Sequence, residues 1–361
     1  MNLFDKISLL GPSARYDTCG PKDFGKTTNI PGVYHAKVGG NNICRLFKVL
    51  QTNKCMNNCY YCAFRRDRDT PRTSATPDEM AKAFASAFSR RLVDGLFLSS
   101  GIDAKPDTTM GKVLDTAHIL RDEYHYKGYI HLKVMPGSTT SVIQETIKVA
   151  NRVSLNIESP TEHDLSLLTP NKSLKGGFFH TLNIIKDEIY KYKLNNTRCP
   201  SLTTQFVVGA GEEKDRDVIK MTNLLYQKYS LKRVFYSAFR PIENTPLEDK
   251  PPVSITREHR LYQTDFLMRF YRFKPTDIPL DENGFLSQTV DPKMLWASRH
   301  PEYFPININT ANYWRLLKIP GIGPKAAKKI IEIRKFGKLK SLFRLQNQRI
   351  QIKKMENYIC F

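Results

Sequence analysis

The sequence has no apolar run approaching the roughly 20 residues that a membrane-spanning helix needs, so no membrane span or membrane partner is expected. Its opening, Met1-Asn2-Leu3-Phe4-Asp5-Lys6, has neither the basic nor the apolar region of a secretory signal, and a cytoplasmic location is expected. No internal repeat and no low-complexity tract is visible. Cysteines are few and mostly scattered, seven in 361 residues, which argues against a disulfide-built fold and suits a reducing compartment. Acidic residues are scarce: 35 Asp and Glu face 56 Lys and Arg, a net charge of +21. The scarcity is uneven. Residues 306–361 hold thirteen Lys or Arg against Glu332 and Glu356 alone, a net +11. Such a surface suits nucleic acid, anionic lipid or mere solubility, and charge does not choose among them. The 40% hydrophobic content suffices for one large domain and a small module.

What is present is concentrated in Cys55-Met56-Asn57-Asn58-Cys59-Tyr60-Tyr61-Cys62, three thiols in eight residues. Thiolates are the usual ligands of iron–sulfur clusters, and a cubane has four irons. Three ligands leave one iron open, which serves a cluster that binds a substrate or cofactor. Zinc is the alternative, but a structural zinc usually takes four ligands. The nearest spare cysteines are Cys44 and Cys19, with no second Cys-x-x-Cys pair. The gaps of three and two, with an aromatic before the last cysteine, resemble the radical S-adenosylmethionine (radical SAM) signature. That resemblance implies a [4Fe–4S] cluster on Cys55, Cys59 and Cys62, with SAM chelated at the open iron and cleaved reductively to a 5′-deoxyadenosyl radical.

Short β-rich runs alternate with longer amphipathic ones. Strands are predicted at 43–50, 95–100, 129–134, 152–157, 202–208 and 233–238. Helices are predicted at 77–93, 108–126, 139–150, 173–191 and 212–229. Thr76-Pro77-Asp78-Glu79 reads as a helix start. Repeated strand–helix units imply a parallel sheet with right-handed crossovers. Six are too few for a closed eight-fold barrel, and the resemblance supplies the architecture: an α/β fold, an open (βα)6 partial TIM-type barrel. The expected domains are an irregular N-terminal extension over 1–40, the barrel over 41–245, a helical linker over 246–305 with helices at 254–273 and 292–299, and a small all-α module over 306–361.

Ligands of parallel α/β folds bind at the carboxyl ends of strands. The resemblance puts Tyr61 near the adenine of SAM and Ser99-Ser100-Gly101 at the place of the superfamily's amino-group motif, although this chain has no carboxylate there. Asn156 and Glu158 follow the fourth strand, point the same way by its period of two, and are candidates for the ribose hydroxyls. Gly209, in Val207-Val208-Gly209-Ala210-Gly211, and Ala238, in Ser237-Ala238-Phe239-Arg240-Pro241, are candidates for the adenine. Gly-Ala-Gly after a strand is also an ordinary turn, and a lone Glu also caps helices.

In the basic segment, Leu316-Leu317-Lys318-Ile319-Pro320-Gly321-Ile322-Gly323-Pro324-Lys325 followed by Ala326-Ala327-Lys328-Lys329-Ile330-Ile331 resembles a helix-hairpin-helix. Thr310 is expected to cap its first helix, Gly321 and Gly323 to allow the hairpin, and Pro324 to open a second helix whose free N–H groups face a phosphate. Lys325 and Lys328 would flank that phosphate. The remaining chain, with Leu342, Phe343 and Leu345, is expected to form a supporting helical layer.

The combination resembles a family of radical SAM proteins assigned to DNA modification or repair and often encoded beside a uracil-DNA-glycosylase-like protein. Besides the cysteines, the resemblance rests on Lys48-Val49-Leu50-Gln51-Thr52-Asn53, Gly95 through Gly101, His131-Leu132-Lys133-Val134-Met135-Pro136-Gly137, Thr203 through Gly209 and Tyr236 through Pro241. It implies a radical enzyme acting on a DNA base or sugar, a low-potential electron donor of flavodoxin or ferredoxin type, and the glycosylase-like protein as a partner. An RNA-modifying radical SAM enzyme and a non-catalytic redox-sensing DNA-binding protein are the alternatives. Cys199 and Tyr236 are weighed as donors of a returning hydrogen atom, with packing the simpler role for each. Cys19, Cys44, Cys199 and Cys360 are too dispersed in sequence to imply a second cluster.

Overall fold

The computed structural model describes residues 1–17, 30–37, 43–341 and 352–361. The chain divides into two compact units, one of Met1–Glu213 and Leu224–Glu258, the other of Lys214–Asn223 and His259–Phe361.

The first unit is built on a seven-stranded sheet in chain order: β1 (Val33–Lys37), β2 (Ile43–Leu50), β3 (Gly95–Ser99), β4 (Tyr129–Lys133), β5 (Arg152–Ser154), β6 (Ser201–Val208) and β7 (Arg233–Ala238). β1 is antiparallel to β2, and β2 through β7 are parallel. The sheet is curled as a half-barrel. Its register explains why these runs became strands. Val49, Leu98, Leu132 and Val153 form one cross-strand row, all fully buried. The helices cover this face, with Phe84 of α2 (Pro77–Ser89) packing its ring 6.2 Å from Phe47. Rows on the opposite face carry Lys48, Phe97, His131 and Arg152, then Lys133, Ser154 and Thr203. A half-barrel thus presents an apolar outside to its helices and a polar inside.

α2 starts as predicted, with Thr76 and Glu79 in a capping box and Pro77 first. It stops at Ser89, short of 93, because Arg91 turns to φ +56°. α3 (Pro106–His118), α4 (Thr140–Val149), α6 (Phe179–Asn195) and α7 (Asp215–Tyr229) fall near their predicted places. α5 (Glu162–Leu168), capped by Thr161, is additional.

Three expectations change in this unit. The stretch 1–40 contains α1 (Leu3–Ser13), started by an Asn2–Asp5 capping box, and the edge strand β1; Lys6 ties α1 to Glu79 of α2 at 2.6 Å. The strand predicted over 152–157 ends at Ser154. Glu158 takes φ +66°, outside strand geometry, and only an isolated bridge links it to Phe206. The period of two therefore does not order Asn156 and Glu158. Residues 246–258 are part of this unit, not of a separate linker, and Lys250 donates to the carbonyls of Ala210 and Gly211 at 2.8 Å each.

α8 (Ile255–Phe270) has most of its residues in the second unit, followed there by α9 (Pro292–Arg299), β8 (Ile306–Asn307), α10 (Tyr313–Leu316), α11 (Pro324–Ile333), α12 (Ile352–Met355) and β9 (Ile359–Cys360). Leu316, Leu317, Ile319, Ile322, Ala327 and Ile330 share a buried core with Ile306, Ile308, Leu339 and Met355. The module is not all-α, because β8 and β9 pair in parallel. Thr310 is not the cap: Asn312 accepts from Arg315 N at 2.9 Å, so the first helix is a single turn. Leu342, Phe343, Leu345 and Cys19 lie outside the described residues. Among the described residues no helix is long and apolar enough to cross a membrane.

Candidate functional site

The cysteine loop follows β2 at the carboxyl end of the parallel strands. Arg72 holds it from within, donating to the carbonyls of Asn53 (2.6 Å), Phe64 (3.0 Å), Arg65 (2.7 Å) and Arg68 (2.9 Å). The end of β3 is pressed against it: Gly101 N donates to Thr52 O at 2.7 Å and Met56 N to Ile102 O at 2.6 Å. A Cβ on Gly101 would lie 2.2 Å from the Lys54 carbonyl, so glycine is needed there for close approach. The loop's far side meets α5, where Tyr60 N donates to Leu168 O at 2.8 Å and the Cys59 thiol lies 3.5 Å from Thr169 Oγ1.

Cys55, Cys59 and Cys62 are free thiols. Burial first, then Cys59, pushes the Cys62 thiol up to about 12. Among the described residues no three His, Cys, Asp or Glu are grouped to hold a single metal ion. Burial opposes the charge on Lys172, yet Cys59, Glu158, Cys62 and Cys55 together raise its pKa. Three soft donors in one loop, with Lys172 and Arg72 within electrostatic reach, fit a cubane whose net charge is negative.

Tyr61 lies beside residues that follow or end β6 and β7. It packs against Leu168, Val207, Ala210 and Phe239, and burial first, then Glu158, holds its hydroxyl well above the ordinary range. Asn156 and Glu158 are buried. Ser99 is buried and its carbonyl accepts from Gln51 N at 2.8 Å, while Ser100 Oγ donates to Gly101 O at 2.7 Å. Gly209 turns at φ +82° with its N–H on Glu213, and a Cβ there would collide with Val253 at 2.0 Å. The Ala238 N–H is engaged by the buried Glu258 at 2.8 Å. Tyr236 lies on the helix-covered face against Phe206, turned away from the polar inside, and Cys199 is exposed; packing accounts for Tyr236.

Sequence reasoning missed the inner polar residues. Asp17 accepts from Lys133 at 2.6 Å, its carbonyl also accepts from Lys48, and Gln205 reaches the Tyr16 carbonyl at 3.1 Å. Burial opposes the Lys133 charge, but Asp17 and Glu158 outweigh it and raise its pKa. His131 stacks on Phe97 at 4.1 Å and shares a hydrogen bond with Ser154 at 2.9 Å; burial first, then Arg152, Lys133 and Lys48, holds it neutral. The only available signal was period-two placement of Lys48, His131 and Lys133 within strands. Arg72 gave none.

In the second unit the hairpin Leu317–Gly323 joins α10 to α11. Gly321 adopts φ +80°, as a tight turn requires, whereas Gly323 is the extended N-cap of α11. Pro324 opens α11 as expected, with Ala326, Ala327 and Ile330 inward and Lys325 and Lys328 exposed. Lys293 of α9 lies buried beneath the hairpin and donates to the Ile322 carbonyl at 2.5 Å.

Residues 49–225 match the model of the radical SAM superfamily, and residues 303–357 match a helix-hairpin-helix motif. No curated protein matches the chain. Among solved structures it is similar to HydG, a maturase of the [FeFe]-hydrogenase (15% identity, 60% of this chain and 48% of that one, TM-score 0.47). It is also similar to methylornithine synthase, PylB (16% identity, 61% and 60%, TM-score 0.48), and to the HydG of Carboxydothermus hydrogenoformans (15%, 83% and 79%, TM-score 0.48). The chain thus spans about half of the first of these and 60% of the second. Such likenesses say nothing of substrate. Residues 49–225 thus form a radical SAM domain and residues 303–357 carry a helix-hairpin-helix motif; members of the radical SAM superfamily bind a [4Fe–4S] cluster and S-adenosylmethionine.

Proposed function

We propose that this enzyme repairs or modifies a DNA base or sugar, with Cys55, Cys59 and Cys62 as the cluster ligands. The observation that carries the reading is the presence in one chain of a three-thiol loop at a polar half-barrel mouth and of a basic hairpin module. A cluster held by Cys55, Cys59 and Cys62, with SAM bound, would supply radical abstraction of a hydrogen atom from a substrate carbon.

The chain's own residues supply position and charge. Arg72 fixes the loop, and Lys172 offsets the negative charge of thiolates and cluster. Tyr61, Ser99, Ser100, Gly101, Asn156, Glu158, Gly209 and Ala238 form the SAM subsite, with the Glu158 carboxylate for the ribose hydroxyls. Lys48, Lys133 and Lys172 against Asp17 and Glu158 leave the inside cationic, which suits a phosphate-bearing substrate. The hairpin backbone, Gly321, Gly323, Lys325 and Lys328 hold the sugar–phosphate chain, contacts that supply affinity without sequence preference. A base treated in the barrel has to leave its stack. A low-potential donor of flavodoxin or ferredoxin type and a uracil-DNA-glycosylase-like protein are the proposed partners.

The test is anaerobic reconstitution followed by incubation with reductant, SAM and lesion-bearing oligonucleotides, read by mass spectrometry. One four-iron cluster, release of 5′-deoxyadenosine and a mass change in the DNA are expected. A cluster that persists when all three cysteines become Ala sinks the ligand assignment. Modification of tRNA instead of DNA gives the substrate to RNA, and a cluster protein that does not bind SAM is a sensor.

A further inference from the structure

The chain has two tryptophans, treated very differently. Trp296 is buried among Phe273, His300, Tyr303 and Phe304. Trp314, on α10, is 37% exposed. Leu316 and Leu317 of the same turn are fully buried, and Asn312 caps it, so the helix is anchored in a way that holds Trp314 outward. The exposed Arg272 lays its guanidinium 3.7 Å from the centre of the Trp314 ring, and Tyr313 stands edge-on to that ring at 5.0 Å and 80°. Arg272 adopts φ +57°, turning the chain just after α8.

This stack adjoins the hairpin. Tyr271, next to Arg272, packs in the module's core beside Tyr313, and its hydroxyl lies 3.3 Å from where a Cβ on Gly323 would stand. Arg315, Lys325 and Lys328 are exposed in the same module. Phosphate contacts do not read whether a given base is stacked or free. An exposed indole carrying a guanidinium can. The guanidinium covers one face of the ring, and its own outer plane, backed by the indole through cation–π attraction, offers a flat surface on which an unstacked base can lie and which a base inside a duplex cannot reach.

We propose that Arg272 and Trp314 form a stacking platform for an unpaired base beside the hairpin, so that the module prefers DNA whose duplex opens into single strand. The proposal rests on the reading of the module as a DNA grip. The platform leaves the hairpin's contacts with paired backbone unchanged and adds affinity only where a base is free.

Two labelled DNAs of equal length, a blunt duplex and a duplex with a single-stranded tail, are titrated into the full-length protein and its variants at fixed salt. Trp314→Ala and Arg272→Ala should each weaken tailed DNA by roughly tenfold, within the range reported for base–aromatic stacking, and the blunt duplex by less than twofold. Trp314→Tyr, which keeps a ring, should recover most of the loss. Unlabelled tailed DNA should quench the intrinsic fluorescence, and the quenching should vanish in Trp314→Phe, where only buried Trp296 remains. Equal losses on both DNAs, or no loss on either, overturn the platform. Failure of the grip itself looks different: the Lys325→Ala/Lys328→Ala double variant would then bind both DNAs as tightly as the parent.

Discussion

Lys293 allows a prediction whose sign changes with pH. The residue is 8% exposed, and its ammonium donates to the Ile322 carbonyl and lies 4.8 Å from the Tyr271 ring centre. Burial first, opposed by Asp291 and assisted by Lys318, brings its pKa from 10.5 down to about 7. A folded pKa below the unfolded one means that the unfolded chain binds more protons between these values, so stability rises with pH from about 7 to 10.5. The penalty is full below pH 7 and is gone above about 10.5. At 1.36 kcal/mol for each tenfold change it amounts to roughly 5 kcal/mol, comparable with the whole stability of a small domain. Lys293→Met removes that penalty but orphans the Ile322 carbonyl, which costs about 1–3 kcal/mol at every pH. The variant should therefore be roughly 2–4 kcal/mol more stable than the parent at pH 6.5, and roughly 1–3 kcal/mol less stable at pH 10.5. Urea unfolding followed by Trp296 fluorescence reads this difference, and titrations common to both proteins cancel. A stability difference that stays constant between pH 6.5 and 10.5 would refute a buried, destabilised ammonium.

Three further outcomes follow from the site. Arg72→Lys should lose most of the reconstituted iron while far-ultraviolet circular dichroism stays unchanged, because a point ammonium cannot bridge four carbonyls spread along the loop; full iron loading would remove Arg72 from this role. Gly101→Ala pushes a methyl to 2.2 Å from the Lys54 carbonyl and should cost about 1–3 kcal/mol together with reduced iron per chain, measured colorimetrically. Lys325→Ala and Lys328→Ala should each lower the slope of log affinity against log salt by about 1; unchanged slopes would mean that neither meets a phosphate.

Several features were legible because a single local cause fixed each. Thr76-Pro77-Asp78-Glu79 carries its own capping chemistry, and α2 starts there. The six parallel strands showed as apolar runs because one face is wholly covered by helices. Pro-Gly-Ile-Gly-Pro fixed the hairpin through the φ +80° of Gly321 and the first position of α11. What was not legible depends on distant partners. β1 is five residues long and exists because β2 offers it an edge. Arg72 acts on carbonyls that no residue pattern marks. Lys48, His131 and Lys133 look like ordinary strand residues until the sheet curls and puts them on its inner face. Thr310 and Asn312 both have capping side chains, and the chain uses Asn312, directly ahead of the turn that buries Leu316 and Leu317.

Glu158 joins the two kinds of information, since its presence was visible and its strain was not. A buried non-glycine residue at φ +66° costs of order 1 kcal/mol or more, and such outliers gather at functional sites. Here the turn breaks the strand and leaves the carboxylate where it interacts with Tyr61, Lys133 and Lys172. Two substitutions separate backbone from side chain. Glu158→Gly relieves the strain but removes the carboxylate, whereas Glu158→Gln keeps the strain and nearly the same shape. If the carboxylate holds the ribose of SAM, both variants should weaken SAM by roughly tenfold or more, the usual scale for losing a hydrogen bond to a charged group. Equilibrium binding to the cluster-loaded protein measures this. If Gly weakens SAM and Gln does not, shape rather than charge is what the site uses. If neither changes SAM affinity, Glu158 serves only to neutralise Lys133 and Lys172, and the ribose contact falls.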